Sequence, residues 1–542
     1  MDHDDDEGVG FIRESHYLKS PTIEQQQAMA LLQIPRRDNV REGSISSNVS
    51  DLDVPIYSSE NLTTRPKREV PGGFNGKLAF AIAASALGSS FQHGYNTGVV
   101  NNPEEIIKNW IFNTQTNRTG IQPEQETVTL IFSIMVSIFC VGGMIGGAIT
   151  GLIADRFGRK GGLLLNNIFV IIATVCLGAA KSASSYELLI LGRFIIGINS
   201  GLNAGLAPMY LAEISPINLR GAVGTVYQLV ITISILISQI LGLGSILGTE
   251  KLWPTLLAIT IVPAIFQIVT LPFCPESPKY LLSSRGKELE AQKALSWLRG
   301  TLSVHEEMDM IKAESEAMKL VPKVTMRELL TNSALRIPLI ISLTVMCAQQ
   351  LSGINAVMFF SKSIFEMSGL SGDQSSYATL AMGGINVLMT IVSLFLVEKA
   401  GRKTLLLIGF GGMAIDTALL TICMIFATGN LAVSVICVIL VLVYVIMFAT
   451  GPGSIPWFLV SELFNQAARP TAASLAVFVN WTANFLVGLA FLPLKDAMGS
   501  YVFLIFVVLQ VLFLIFIYKK VPETKNKTLE EISAMFRQQS YQ

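Results

Sequence analysis

The sequence predicts an all-α membrane protein: twelve transmembrane helices arranged as two pseudo-symmetric six-helix halves. Three observations carry that prediction. Of 542 residues, 51% are hydrophobic and 14% charged, against about 25% charged in a soluble domain, and the mean hydropathy is +0.53. Twelve apolar segments are each long enough to cross a bilayer, which takes about 20 residues. Charged motifs at segment ends recur once along the chain. Asp155-Arg156-Phe157-Gly158-Arg159-Lys160 is echoed by Glu398-Lys399-Ala400-Gly401-Arg402-Lys403, the Glu213/Arg220 pair by Glu462/Arg469, and Pro275-Glu276 by Pro522-Glu523, at offsets of 243, 249 and 247 residues. Three echoes in the same order indicate duplication. Two-half transporters of this kind hold substrate near the bilayer midplane between the halves and rock around it.

Residues 1–76 contain no apolar run and are expected to be a disordered cytosolic tail without a cleavable signal peptide. Leu31-Leu32 with Glu24 upstream is a loose dileucine pattern and Arg41 to Ser44 a basophilic phosphosite pattern, so sorting or kinase contacts are assigned to this tail. Arg65, Lys67, Arg68 and Lys77 form a basic collar before the first span. The spans are placed at 78–99, 127–153, 162–180, 186–210, 221–244, 252–273, 336–360, 376–397, 404–426, 431–459, 471–492 and 500–518. This gives an N-terminal half over 77–273, a C-terminal half over 336–518 and a cytosolic tail over 519–542. Between the halves, 274–335 is charged, with helical character from Glu288 to Lys319, and is expected to be a cytosolic linker.

Basic residues set the orientation. Arg156, Arg159, Lys160, Arg220, Lys399, Arg402, Lys403, Arg469 and the cluster Lys519, Lys520, Lys525, Lys527 fall on one side, which places both termini in the cytosol. Asn117-Arg118-Thr119 in the first outer loop is then a usable glycosylation sequon, and the plasma membrane is the expected location. Net charge is zero and no basic or aromatic patch points to nucleic acid. The six cysteines have neither paired-loop nor metal spacing, and no nucleophile–base pair or phosphate loop is present. An enzyme, a metal site and a cofactor are therefore not expected.

Gln349-Gln350-Leu351-Ser352-Gly353-Ile354-Asn355 is unusually rich in amides for an apolar span. On a continuous helix, residues 349, 352 and 355 share a stripe that Phe359 extends. Carboxamides donate and accept without carrying charge, which suits a neutral polyhydroxylated ligand. They also hold membrane helices together, typically for about 0.6–2 kcal/mol each. From these residues alone, sugar wall and interhelical glue are both open. In span five, Gly221, Gly224, Gln228, Thr232, Ile235 and Gln239 share one face.

The chain resembles the sugar porters of the major facilitator superfamily, and among them the animal facilitative glucose transporters. The motifs are GYNTGV at Gly94–Val99, DRFGRK at 155–160, GRFIIG at 192–197, PMYLAEISP at 208–216, PESPKYLL at 275–282, QQLSGINAV at 349–357, GPGSIPWF at 451–458, NWTANF at 480–485 and VPETK at 521–525. The resemblance implies the major facilitator fold, a monosaccharide substrate within the lipid bilayer, and sugar contacts at Gln228, Gln349, Gln350, Asn355, Asn386, Trp457 and Asn484. It also implies that Arg156, Arg159, Glu213, Arg220, Glu398, Arg402, Glu462 and Arg469 pair across helix ends to close a cytosolic gate.

The expected function is a facilitative hexose uniporter, D-glucose being the best match, working by alternating access. Alternatives are a proton-coupled sugar symporter and a non-transporting sugar sensor. Proton-coupled porters resembling this chain carry an Asp in the first-span GY-x-T motif, where this sequence has Asn96, which cannot ionise. His93, where the family has Phe, and Asp416, mid-span where the family is uncharged, keep coupling open. Met346-Cys347-Ala348 replaces a Gln-Leu-Ser, Phe359 and Phe360 replace two tyrosines, and Ala449 replaces a Glu, which bears on fructose exclusion and on conformational bias.

Overall fold

The computed structural model describes residues 73–540, apart from 217–218, 427–428, 465–466, 525–526 and 528. The dileucine at 31–32 and the Ser44 pattern lie outside the described residues. The first half comprises α1 (Gly76–Gly98), an excursion helix α2 (Glu104–Thr119), α3 (Gln125–Phe157), α4 (Arg159–Ala179), α5 (Tyr186–Ile214), α6 (Arg220–Leu241), and a broken sixth span made of α7 (Trp253–Ala258) and α8 (Ile261–Thr270). Four short helices follow: α9 (Pro278–Ser283), α10 (Glu288–Arg299), α11 (His305–Lys319) and α12 (Met326–Thr331). The second half holds α13 (Ser333–Leu351), α14 (Ile354–Met367), α15 (Gly372–Lys399), α16 (Arg402–Ile425), α17 (Leu431–Thr450), α18 (Ile455–Leu463), α19 (Arg469–Met498) and α20 (Val502–Lys520). A final helix, α21, covers Leu529–Ser540.

Ten stretches of the described residues are helical, long and apolar enough to span a membrane. The last of them, Arg469–Lys520, contains both α19 and α20, and α1, diluted by Ser, Gln, His and Asn, is not among the ten. Together these account for twelve spans. Local sequence explains the starts. Asn75, Ser185, Asn332 and Asn430 each accept a backbone N–H at a helix N-terminus, and Ser371 with Gln374 forms a capping box on α15.

Three spans are not continuous. The sixth breaks between Ala258 and Ile261, where Pro263 cannot donate to the carbonyl four residues back. The tenth breaks over Gly451-Pro452-Gly453-Ser454. The seventh breaks at Ser352-Gly353: Gly353 has φ +102°, and a Cβ there would press on the Phe506 ring. This corrects the expected single stripe through 349, 352, 355 and 359, because α13 ends at Leu351 and α14 starts afresh at Ile354. Phe359 does not continue an amide face. It is fully buried against Phe360, which stacks on Phe491.

Across the halves, α3 packs against α19 and α6 against α15. Exchanging the halves turns one contact into the other, since second and eighth spans swap, as do fifth and eleventh. The first and seventh spans meet where α14 touches α1. The 274–335 region docks through Arg299, which donates to Ile214 O at 2.8 Å and pairs with Glu307 at 2.7 Å. The C-terminal segment, read as a tail, ends in α21, which buries Ile532 and Phe536 against α13 and α18. The six cysteines are free thiols.

Candidate substrate site between the halves

The two breaks in the second half are tied together by one amide. Prolines and glycines leave the carbonyls of Pro452 and Gly453 outside any helical ladder. Gln349 Nε2 donates to both, at 3.0 and 2.8 Å. Its Oε1 accepts from Asn480 Nδ2 at 2.8 Å, Asn480 Oδ1 accepts from Gln350 Nε2 at 3.2 Å, and Gln350 Oε1 accepts from Asn355 Nδ2. The seventh, tenth and eleventh spans are thereby joined through a continuous chain of amides. Just behind the seventh-span break, Ser352 O accepts from Tyr444 Oη and Gln510 Nε2, each at 2.8 Å.

Access divides the sequence-predicted contacts. Gln349 is buried and its side-chain N–H and C=O groups are occupied within the protein. Gln350 is buried with partners at both amide ends. Asn355 and Asn386 are half-buried, Gln228 is exposed and Trp457 is 42% exposed. Asn484 is 7% exposed and its Oδ1 has no hydrogen-bond partner. Of these seven, Gln228 on α6 belongs to the first half and the others to the second. His93 on α1 approaches Tyr227 Oη through Nδ1 at 3.1 Å and stacks on Trp481 of the opposite half, ring centres 5.9 Å apart. Sequence reasoning left Asn480, the hub of the amide chain, and Trp481 out of the site, although the NWTANF motif contains both.

At the end of the bundle that bears α1's start and α21, the charged motifs act within each half. Arg159 pairs with Glu213 at 2.9 Å, and Arg402 with Glu462 at 3.0 Å. Arg156 lies over its neighbour Phe157, and Arg469 Nη2 donates to Phe464 O at 3.3 Å. The side chains of Arg220 and Glu398 lie outside the described set. Glu276 adds a clamp: its carboxylate accepts from the backbone N–H groups of Arg159, Lys160 and Gly161, at 3.1, 3.0 and 3.3 Å, at the positive end of α4. Its repeat partner Glu523 accepts from Arg402 N at 2.9 Å in the same way. A carboxylate seven residues upstream of an Arg is visible in sequence, whereas a carboxylate reaching a helix N-terminus more than a hundred residues away has no local signal.

At the far end, the halves are sewn together by the α1–α2 connection. Asn101 Nδ2 donates to Met358 O at 3.3 Å and to Ser361 Oγ, and Asn101 Oδ1 accepts from Lys362 N at 3.0 Å. Lys362 Nζ donates to Asn102 O at 3.2 Å. Asn117, exposed on α2, lies at this same end. These bonds close the far end, while Gln228 and Trp457 are the exposed members of the predicted set. The gap between the halves offers donors, acceptors and an indole face without a charge; among the described residues no group of three or more His, Cys, Asp and Glu side chains is placed to hold a metal.

Known proteins resemble this chain along most of its length. The family model "Sugar (and other) transporter" matches residues 81–536. The chain is 47% identical to mouse solute carrier family 2, facilitated glucose transporter member 3, over 464 residues, which covers 86% of this chain and 94% of that one. It is likewise 47% identical to chicken member 1 over 462 residues, covering 85% and 94%. Among solved structures, the inward open conformation of the xylose transporter XylE from E. coli superposes with a TM-score of 0.71 at 26% identity, covering 84% of this chain and 99% of that one. XylE described as a proton:xylose symporter bound to 6-bromo-6-deoxy-D-glucose gives 0.67 at 28%, covering 85% and 100%. A twelve-span, two-half bundle with an uncharged gap matched along nearly its whole length by this family is a membrane transporter and not an enzyme, and the chain belongs to the sugar transporter family of the major facilitator superfamily.

Proposed function

We propose that this protein is a facilitative hexose uniporter, with D-glucose as its substrate, that works by alternating access. The observation that carries the reading is the uncharged amide set around two broken helices: Asn355 and Asn386 half-buried, Asn484 with an open acceptor, Gln350 anchoring Asn355, and Gln228 exposed on the other half. Neutral hydroxyls are matched there without desolvating a charge. Facilitated glucose transporters at 47% identity support the substrate. Gln349 holds the junction on which the set stands, and Trp457 lies next to the second break as a lid. Uniport is supported at Asn96, whose amide donates to Gln92 O at 2.8 Å and Thr260 Oγ1 at 2.9 Å and cannot ionise to carry a proton. The likeness to an inward open transporter and the closed far end together support a cytosol-facing state. The excess of basic residues on one side supports cytosolic termini and a cytosolic 274–335 linker; in that orientation the far end is outside, Asn117 is the glycosylation site and the protein works in the plasma membrane. Arg156, Arg159, Glu213, Arg220, Glu398, Arg402, Glu462 and Arg469 form the cytosolic gate, the pairs within each half exchanging partners when that end closes, and the N-terminal tail carries the sorting and kinase contacts.

One feature favours coupling to protons as a second reading. Asp416 of α16 is 4% exposed and neither carboxylate oxygen has a hydrogen-bond partner. Radiolabelled D-glucose uptake into sealed proteoliposomes, with and without a pH gradient, decides between the two. Uniport predicts uptake that equilibrates, ignores the gradient and is unaltered in its pH response by Asp416→Asn. Concentrative uptake driven by the gradient and abolished by Asp416→Asn would replace uniport with symport.

A further inference from the structure

Near the end of α6, Gln239 is 1% exposed, and neither its Nε2 nor its Oε1 has a hydrogen-bond partner. Buried carboxamides in native structures are partnered with few exceptions, so a fully unpartnered one points to a state or a ligand that satisfies it. Gln239 shares a helix face with Gln228 but lies eleven residues further on, about 16 Å along the axis at 1.5 Å per residue. Packed against it from the other half is Gly383 of α15, three residues before Asn386, where an added Cβ would collide with Gln239 Oε1. Closure at this end therefore presses the bare amide against the opposite backbone.

Two further carboxamides adjoin it. Asn102 donates from Nδ2 to Gln239 O at 2.7 Å, and its own Oδ1 is buried and unpartnered. The amide partners of Asn101, namely Met358 O, Ser361 Oγ and Lys362 N, all belong to α14 of the other half. Those bonds break when the halves part at the far end, which frees Asn101 beside two groups that already lack partners.

We infer that Asn101, Asn102 and Gln239 form a second sugar subsite at the far mouth, filled when the halves separate there and emptied as they close. Its ligand is a neutral polyhydroxylated molecule of the class taken by the central site, because carboxamides donate to and accept from hydroxyls without charge. The inference rests on the transport reading above, in whose orientation this mouth is extracellular.

The test compares D-glucose entry and exit, each measured into zero sugar on the opposite side, for wild type, Gln239→Leu and Gln239→Asn. The expected result is an entry KM raised about 3–10-fold in Gln239→Leu and less in Gln239→Asn, with exit KM unchanged, as for loss of one or two net hydrogen bonds. An exit KM at the wild-type value also reports that each variant is folded, while exit Vmax falls by the factor that entry KM rises at constant entry Vmax, because a passive carrier keeps Vmax/KM equal in both directions; if Gln239→Leu does not fold, Gln239→Asn is judged by the same criteria. An unchanged entry KM overturns the subsite. So does a rise in entry KM mirrored by a fall in exit KM, since the amide would then be biasing the two conformations without touching sugar. A wild type that moves no hexose removes the transport reading itself, and the subsite with it.

Discussion

In the first half, buried amides close on one another. Asn203 donates to Gln92 Oε1 at 3.2 Å, Gln92 to Asn167 Oδ1 at 3.3 Å, Asn167 to Gln267 Oε1 at 2.9 Å, and Gln267 to Ser89 Oγ at 2.7 Å, which laces α1, α4, α5 and α8 into one seam. Asn166 extends it by donating to Asn203 Oδ1 at 2.8 Å. In the second half the amides begin in the same manner at Gln349 and Asn480, but the set runs out toward the gap. Asn355 and Asn386 are only half-buried, and Asn484 retains an open acceptor. The same side-chain chemistry thus serves cohesion in the seam of α1, α4, α5 and α8 and is left available elsewhere, at Asn484 in the second half and at Gln239 and Asn102 in the first. What separates them is not amide content but unspent hydrogen-bonding capacity beside an accessible space.

Two substitutions sharpen the contrast. The larger effect is expected from Gln349→Ala, which strands the carbonyls of Pro452 and Gly453 and one end of Asn480. Three bonds at about 1 kcal/mol each correspond to a roughly 100-fold loss of transport, accompanied by a lower melting temperature, because the junction between two broken helices loosens. Proteoliposome uptake and thermal unfolding of the purified protein measure both. The next is Asn167→Leu, which leaves Gln92 and Gln267 each short of a buried partner. A stability loss of about 1–3 kcal/mol is expected with KM for glucose unchanged in the protein that remains folded. A changed KM there would break the distinction between the two amide sets.

The sequence makes the spans legible because each needs only length and hydropathy, and the duplication legible because its echoes are local hexapeptides and pairs. Two capping signals, Ser371 with Gln374 and Asn332, are equally local. The break at Ser352-Gly353 is less so, since a lone glycine in an apolar run does not declare a φ of +102°, and the stripe drawn through it failed for that reason. Which amides face the gap is not written locally at all. Gln349 and Asn484 are both amides in membrane helices, and only the approach of α13, the tenth-span break and α19 uses up one and spares the other. Gln267 and Asn167 went unremarked because partners 100 residues apart leave no periodic trace. The buried α21 escaped notice because Ile532 and Phe536, one turn apart among polar residues, are too short a stripe to separate from a solvated tail.

The most direct measurement sets Asn484→Ala beside Asn167→Leu and determines glucose KM and melting temperature for each. The account predicts that Asn484→Ala raises KM about tenfold, the equivalent of about 1.4 kcal/mol, while the melting temperature stays at the wild-type value, because its Oδ1 supports nothing inside the protein. Asn167→Leu should do the reverse. An Asn484→Ala protein that melts early and binds glucose normally would contradict the account, placing that amide with the glue and leaving the gap without its proposed contact.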